Sequence, residues 1–254
     1  MGRRKRAGGS ITWLTLALVT SLLLAGCSSS SREQPSDQGF STLPVGAPLP
    51  SGDDCASRVV RGHPEEVPDN AKANSVVPDK VSMPIWEDFT EQANKTFVPR
   101  IDGRFTGTTG EILQWGACKW GLDVNTLRAA AYQESDWGQS TTGDQSDDAA
   151  DCAAGVAPPC PTSFGILQLK GLDLPGSYPL SQTSTAFNVD YYGARMRSCY
   201  EGWVTYLGGD YAPGDLWDCV GWHKSGRWKD SSSLNYIARV RNYIGQQPWR
   251  KFDN

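Results

Sequence analysis

The chain has 254 residues and an acidic balance, with 24 lysines and arginines against 28 aspartates and glutamates and a net charge of −4. Removal of residues 1–26, which hold four positive charges and no negative one, leaves 228 residues with a net charge of −8. A surface of this sign lacks the basic patch that nucleic-acid binding requires, so we expect no nucleic-acid partner. The length fits one domain of ordinary size and a tail.

The N-terminus has the order of a secretory signal. Four basic residues at positions 3–6 precede a mostly apolar, uncharged run over residues 11–24, and small residues precede Cys27. This order is typical of signal peptides, and the run is short for a membrane span, although a span or a buried helix is the alternative interpretation. Residues 24–27, Leu-Ala-Gly-Cys, resemble a lipobox, in which Cys27 is acylated and becomes the mature N-terminus. We therefore predict a signal peptide over residues 1–26 and an extracytoplasmic, membrane-anchored lipoprotein that faces the cell wall.

The cysteines other than Cys27 are even in number, and in an exported protein they predict three disulfides. They are Cys55, Cys118, Cys152, Cys160, Cys199 and Cys219. A metal site is the rival interpretation, but the chain has no Cys-x-x-Cys pair and only two histidines, His63 and His223, so we expect no metal and no cofactor. Among the possible pairings we predict Cys152–Cys160, Cys199–Cys219 and Cys55–Cys118. The first closes a short loop, the second joins a long helix to the segment after it, and the third is the pair that remains.

Residues 27–80 are rich in Ser, Pro, Gly and Asp and show no sustained apolar period. Such a composition is typical of a flexible polar linker, and about 50 residues would span on the order of 40 Å. We therefore predict a disordered N-terminal tail that holds a domain over residues 81–254 clear of the membrane. A disulfide at Cys55 would fix part of this tail to the domain.

From residue 81 onward the sequence predicts a mainly α domain with weak strand signals. The expected helices cover residues 111–120, 126–135, 185–201 and 215–222, followed by a last helix with Leu234, Ile237, Val240 and Ile244 at helical spacing. We expect Gly121 to end the first helix, and Asn125 and Ser232 to cap the second and the last. Residues 138–161 are rich in Gly, Asp and Pro and are expected to be irregular.

Glu134 is the candidate catalytic residue. Leu127, Ala130 and Ala131 precede it on the same helix face, which should be the buried one. Burial raises the pKa of a carboxyl group because the charged form loses its hydration. A carboxyl group that keeps its proton near neutral pH can act as a general acid. The alternative is a glutamate at a helix end that turns to solvent or caps a neighbour.

Three segments of the domain resemble the motifs of lytic transglycosylases with the lysozyme-like fold, of the SLT or goose type. Residues 130–135, Ala-Ala-Tyr-Gln-Glu-Ser, are similar to the family's catalytic Glu-Ser helix end, and residues 163–168, Ser-Phe-Gly-Ile-Leu-Gln, to its Ser-x-Gly-x-x-Gln motif. Residues 221–226, Gly-Trp-His-Lys-Ser-Gly, take the place of the family's Ala-Tyr-Asn-x-Gly. Here Trp222 replaces the family's Tyr and His223 replaces its Asn.

The resemblance covers roughly residues 105–245, and residues 236–243 resemble the family's closing helix. It implies a lysozyme-like, disulfide-stapled domain that cleaves the glycosidic bond between N-acetylmuramic acid (MurNAc) and N-acetylglucosamine (GlcNAc) in peptidoglycan. Glu134 would act first as acid on the leaving oxygen and then as base on the sugar's own C6 hydroxyl, which gives a 1,6-anhydro product without water. The implied partner is a peptidoglycan glycan strand, bound by a monomer.

We expect the following residues, which lie in the motifs or beside them, to bind substrate. These are Ser135, Trp137, Ser163, Gly165, Gln168, Trp222 and His223. Ser163 and Gln168 would hydrogen-bond the sugar or the backbone near the catalytic residue, and Gly165 suits a close approach of the chain to the sugar. Trp137 and Trp222 are chosen among many tryptophans because each lies beside a motif, although most tryptophans belong to cores.

Two other functions stay open. An acidic run after the Glu134 helix holds Asp144, Asp147, Asp148 and Asp151. A second carboxylate that faces Glu134 would permit attack by water, as in a lysozyme-like or chitinase-like hydrolase, whereas a solvated loop is the alternative for this run. The remaining possibility is a non-catalytic, wall-binding lipoprotein, since the third motif departs from the family's pattern.

The first prediction concerns the anchor. Changing Cys27 to Ala is expected to release the protein from the membrane or to stall its processing, because stable attachment depends on acyl chains carried at that position. Membrane fractionation and the intact mass of the protein measure both effects. A Cys27→Ala protein with unchanged fractionation and mass would contradict the lipid anchor.

Overall fold

Caps and terminating residues set the helix boundaries in the computed structural model, which describes residues 39–153 and 155–252. Within these residues the α-helices are α1 (Gly52–Ala56), α2 (Ala71–Asn74), α3 (Glu91–Thr96), α4 (Thr109–Trp120), α5 (Val124–Ser135), α6 (Leu180–Thr183), α7 (Thr185–Tyr200), α8 (Leu216–Ser225) and α9 (Ser231–Gln246). The strands are β1 (Thr142–Ser146), β2 (Cys160–Phe164) and β3 (Leu169–Lys170). The expected mainly α class is therefore confirmed. The predicted signal peptide and Cys27 lie outside the described residues.

Local chemistry accounts for the ends of α4 and α5. Gly121 ends α4 at φ 56°, a left-handed conformation that glycine adopts without strain, so the predicted stop is confirmed. The predicted cap of α5 is wrong. Asp123, rather than Asn125, accepts a hydrogen bond from the Thr126 N–H at 2.7 Å, and α5 begins two residues earlier than expected.

The last helix, α9, is capped by Asp230 rather than by the predicted Ser232. Its buried stripe runs through Ser233, Tyr236, Ile237 and Val240. Of the residues that recur at helical spacing, Ile237 and Val240 are thus buried. Leu234 is 53% exposed because it lies beside this stripe.

The centre of the fold is the pair α4 and α7, which pack on each other and are buried along almost their whole length. Such burial requires partners for the polar groups of both helices. The Asp190 carboxylate on α7 accepts hydrogen bonds from Lys119 Nζ at 2.8 Å and Trp120 Nε1 at 2.8 Å on α4, and from the Gly103 N–H at 2.9 Å. Helix α5 packs on α4, α8 packs on α7, and α9 packs on both α5 and α8. Among the described residues, none of the helices combines the length and the hydropathy of a membrane span.

β1 lies inside residues 138–161, the stretch that was expected to be irregular, and β2 begins at its end, so the expectation is wrong for these two segments. β1 pairs antiparallel with β2, with Thr142 opposite Phe164 and Ser146 opposite Cys160, and β2 pairs antiparallel with β3. β1 is Thr-Gly-Asp-Gln-Ser, without the alternation of apolar and polar residues that marks a half-buried strand. Its pairing comes from backbone hydrogen bonds and from the disulfide that closes the loop before β2.

All three predicted disulfides are confirmed. They are Cys55–Cys118, Cys152–Cys160 and Cys199–Cys219, with Cα–Cα distances of 5.6, 5.7 and 5.8 Å. The first joins α1 to α4, the second closes the loop between β1 and β2, and the third joins the end of α7 to α8. Disulfides of this number are typical of a protein that folds in an oxidising compartment.

Residues 39–80 are not the flexible tail that their composition predicts. Cys55 is fully buried in its disulfide, and the side chains of Glu65 and Glu66 accept hydrogen bonds from the Thr109 and Gly110 N–H groups at 3.1 and 3.0 Å. These are free N–H groups at the start of α4, where a helix favours negative charge. The polar residues of the segment therefore serve the fold, and the domain includes the described residues before position 81.

The second prediction follows from this contact. Glu65→Ala should lower the free energy of unfolding by about 1.5–3 kcal/mol, the range for hydrogen bonds to a charged group, because Glu65 also accepts hydrogen bonds from the Thr109 hydroxyl and from Asn74. Denaturant titration measures the change. Asp79→Ala, an exposed acid of the same segment, is the control and should change little. Equal, small changes in the free energy of unfolding for both variants would contradict this contact and support the prediction of a flexible tail.

Candidate active site

A cavity of about 660 Å³ lies beside the end of α5 and the small sheet, and we refer to it as the Glu134 cavity. Its wall contains Glu134, Asp144, Ser163, Gln168, Trp222 and His223, all of which belong to the motifs or to the acidic run. Helix α5, the strands β1 and β2, the turn before β3 and helix α8 supply these side chains. The fold thus gathers segments that are up to 89 positions apart in sequence around one space.

Glu134 lies in the last turn of α5, and its side chain is only 11% exposed. Burial raises the pKa of this carboxyl group above its ordinary value, because the charged form loses contact with water. Its Oε1 atom is buried and has no hydrogen-bond partner in the protein. A carboxyl group in this state holds its proton more tightly than an exposed glutamate does, and the residue lines the cavity.

Two buried tyrosines face the carboxyl group of Glu134. The Tyr236 hydroxyl on α9 favours the carboxylate and so partly offsets the rise in the pKa of Glu134. Neither that hydroxyl nor Glu134 Oε1 is in a hydrogen bond of ordinary geometry, so the two groups are adjacent without being fixed to each other. Burial and the nearby Glu134 raise the pKa of Tyr236 and of Tyr192 on α7, so both rings stay neutral. The sequence offered a weak signal for Tyr236, which opens the segment that resembles the closing helix.

His223 is neutral and therefore no cationic partner of Glu134. Burial lowers its pKa to about 3, and the nearby Arg195 adds to the effect. Its Nε2 lies 3.2 Å from the Leu167 carbonyl oxygen, which only accepts hydrogen bonds, so Nε2 carries the proton and donates it there. The distance from Nε2 to Glu134 Oε1 is 3.8 Å, beyond a hydrogen bond. The ring packs edge-on against Tyr192 at 4.7 Å between centroids.

Asp144 is the member of the acidic run that reaches the Glu134 cavity. Its Oδ2 accepts a hydrogen bond from Ser163 Oγ at 2.9 Å, and its negative charge raises the pKa of Glu134 through space. Asp148 and Asp151 instead serve the loop, since Asp148 caps a 3₁₀ turn and Asp151 accepts a hydrogen bond from a serine of β1. Ser163 thus positions a carboxylate, a role that the sequence did not indicate.

Gln168 and Trp222 both line the cavity and are both fixed by the protein. Gln168 Nε2 donates to the carbonyl oxygens of Thr141 and Gly165 at 3.0 and 2.8 Å. Trp222 is 1% exposed, and its Nε1 donates to the Tyr206 hydroxyl at 2.7 Å. Each residue therefore shapes the wall from a position that the protein fixes.

Three residues expected to bind substrate do not line the Glu134 cavity. Trp137 is buried at 2% exposure and stacks on Trp249, because the chain turns through positive φ at this residue and carries the ring away from the cavity. Gly165 faces protein atoms, with Asn188 and Ser181 too close for any Cβ. Ser135 Oγ donates to the Ile166 carbonyl oxygen at 2.9 Å and so ties α5 to the turn before β3. These three residues therefore serve the packing of the fold rather than the surface of the cavity.

The part of the chain that the structure describes holds no cluster of three or more His, Cys, Asp or Glu side chains that could hold a metal ion. The chemistry that Glu134 can supply in its cavity is proton transfer at a carboxyl group with a raised pKa, on which the charges of Asp144, Lys224 and Arg239 act through space. Comparison with known protein families, with curated proteins and with solved structures finds no match to this chain.

The third prediction tests the burial of Glu134 by stability alone. An acid whose pKa is raised on folding makes the folded state lose stability as pH rises from the unfolded value of about 4.3 through the raised value. Glu134→Gln removes this loss because the amide stays neutral. The melting temperatures of the two proteins should therefore be close at pH 4 and should diverge in favour of Glu134→Gln toward pH 8.

Scanning calorimetry across this pH range measures the difference. Glu87→Gln, a change at an exposed residue of the same cavity, is the matched control and should show no such divergence. A gap between Glu134→Gln and the parent that is the same at every pH would contradict a raised pKa.

Proposed function

We propose that this chain is a peptidoglycan lytic transglycosylase, which cleaves the glycosidic bond between MurNAc and GlcNAc with Glu134 as its single acid–base group. The observation that carries the proposal is a buried carboxyl group with a raised pKa, on a residue that lines a large cavity and whose Oε1 atom has no hydrogen-bond partner in the protein. The resemblance of residues 130–135 and 163–168 to the family's motifs supports it, because both segments contribute to that cavity.

The acid step uses the proton that burial keeps on Glu134. The carboxyl group donates this proton to the glycosidic oxygen as the bond from C1 breaks, and the sugar's N-acetyl group stabilises the cation. Glu134 Oε1 competes with no protein hydrogen bond for this task. The neutral His223 does not hold Glu134 as a carboxylate before the reaction.

The base step returns the enzyme to its starting state. The Glu134 carboxylate takes the proton of the C6 hydroxyl as O6 bonds to C1, so one bond breaks, one forms, and no water is consumed. The Tyr236 hydroxyl favours the carboxylate during this interval, as do the positive charges of Lys224 and Arg239. It stands in for the tyrosine that the third motif lacks, since Trp222 donates its own N–H to Tyr206 and not to Glu134.

A hydrolase of the same fold is the second candidate, and Asp144 favours it. This carboxylate lies in the same wall and acts electrostatically on Glu134, which supports a role in orienting an attacking water. Two carboxyl groups on either side of a glycosidic bond are the usual equipment of hydrolytic glycosidases. The product separates the two reactions, because only the transglycosylase leaves 1,6-anhydro ends.

The proposal also includes a location of the chain outside the cytoplasm. Three disulfides fit an oxidising compartment outside the cytoplasm. A lipid on Cys27 would keep the domain at the membrane, within reach of the wall. The placement of an acid-bearing helix end and a small antiparallel sheet around one cavity supports the lysozyme-like fold.

The fourth prediction is that Glu134→Gln lowers the cleavage of purified sacculi by a factor of about 100 or more, since one positioned acid–base group contributes roughly 10²–10⁴-fold. Mass spectrometry of the released fragments, with detergent-solubilised full-length protein, measures rate and product. Anhydro ends support the transglycosylase, and reducing ends support the hydrolase.

Asp144→Asn is the matched variant for this experiment. It should keep most activity in a transglycosylase and lose it in a hydrolase that depends on Asp144. A Glu134→Gln protein near the parent rate would remove Glu134 as the catalyst. A parent protein without activity on any wall preparation would favour the wall-binding lipoprotein.

A further inference from the structure

Arg195 on α7 brings a largely buried positive charge to the wall of the Glu134 cavity. Its guanidinium carbon lies 4.7 Å from the ring centre of Trp222, 5.2 Å from that of Phe89 and 5.9 Å from that of Trp86. Aromatic faces attract a cation, but they leave the five N–H donors of arginine largely unused. The rings therefore fix the position of the guanidinium group without satisfying it.

No protein group supplies the missing hydrogen-bond acceptors. Within residues 39–153 and 155–252, the side chain of Arg195 forms no hydrogen bond and no ion pair at contact distance, and its Nε is buried without a partner. Asp88, an exposed residue, acts on it only through space. Buried polar groups are otherwise almost always hydrogen-bonded, so the unmet donors of Arg195 require an explanation.

Two other buried cations of the fold provide the contrast. Lys119 is held by Asp102 and Asp190 at 2.9 and 2.8 Å. Arg197, only two positions after Arg195, binds Glu201 and backbone carbonyl oxygens. Arg195 differs from both in that it faces a cavity, which leaves room for an acceptor from outside the protein.

We propose that Arg195 binds a carboxylate of the substrate, so that the Glu134 cavity selects glycan strands that carry acidic substituents. This inference rests on the proposed function and identifies the substrate class within it. In peptidoglycan the carboxylate belongs to the muramyl unit, either to its lactyl group or to the peptide attached there. Chitin, a neutral glycan, offers none.

The position and chemistry of Arg195 fit this role. The planar fork of a guanidinium group matches the two oxygens of a carboxylate and stays charged at neutral pH. Arg195 acts electrostatically on His223, whose Nε2 is 3.8 Å from Glu134, so a carboxylate at Arg195 would lie in the same cavity as the acid. The other cations of the wall, Lys170 and Lys224, are exposed and lack this aromatic enclosure.

The fifth prediction uses binding in the full-length Glu134→Gln background, where no turnover interferes. Arg195→Met should weaken binding of peptide-free glycan strands, which carry free lactyl carboxylates, by roughly tenfold to a hundredfold, the equivalent of lost hydrogen bonds to a charged group. The same strands after methyl esterification should bind Glu134→Gln and the Arg195→Met double variant equally. On the free strands, the affinity of an Arg195→Lys variant, which keeps the charge and loses the planar fork, should lie between those of Glu134→Gln and the Arg195→Met double variant.

Three controls separate this role from its rivals. Arg104→Met removes an exposed cation outside the Glu134 cavity and should leave binding at the parent level. Peptide-bearing strands identify the source of the carboxylate. If Arg195→Met weakens binding of these strands alone, the carboxylate belongs to the peptide. If Arg195→Met does not fold, as melting temperature reports, the preference of Glu134→Gln itself for free over esterified strands tests the proposal.

An equal loss by Arg195→Met on free and esterified strands would mean that Arg195 only supports the wall, and no loss on either carboxylated strand would overturn the proposal as well. Both results are independent of catalysis. A parent protein that cleaves no wall preparation but distinguishes free from esterified strands through Arg195 would refute the proposed function and leave this inference standing. If the parent protein cleaves the wall but does not distinguish free from esterified strands, the proposed function stands and this inference is refuted.

Discussion

The structure around the cavity depends on keeping one carboxyl group out of water without giving it a charged partner. A cation in contact with Glu134 would lower its pKa and remove the proton, whereas full exposure would do the same through hydration. The fold meets this constraint with rings that stay neutral, Tyr192, Tyr236 and His223, from α7, α9 and α8. Since these helices meet only in the folded protein, the acidity of Glu134 is a property of the tertiary structure.

The rest of the fold shows how differently buried charge is treated elsewhere. The Asp190 carboxylate between α4 and α7 receives hydrogen bonds from a lysine, an indole and backbone N–H groups, and the start of α4 is capped by glutamates from the N-terminal segment. Unmet buried groups are destabilising, so a fold retains them only where something else is gained. Glu134 and Arg195 are two such groups, and both lie in the wall of the same cavity.

The sequence predicted features that depend on near neighbours and missed those that depend on distant ones. The stop at Gly121, the burial of Glu134 and the three disulfides follow from local patterns and cysteine counting. Residues 39–80 look like a linker because their acids cap a helix more than 40 positions later. Trp137 lies beside the first motif, yet a single turn at positive φ sends its ring to the core. Arg195 belongs to no motif, and only the packing of α7 against α8 gives it a role.

Trp222 and His223, the residues that differ from the third motif, have structural contacts that explain their presence. Trp222 packs under Arg195 and bonds to Tyr206, and His223 fixes the turn before β3 through the Leu167 carbonyl oxygen. Both residues thus build the wall, and the hydroxyl beside Glu134 comes from Tyr236 on α9. A larger aromatic at position 222 also encloses the guanidinium group of Arg195 in a less polar surrounding, where its attraction for an anion is stronger than in water. Trp222 therefore also favours the cationic site proposed at Arg195.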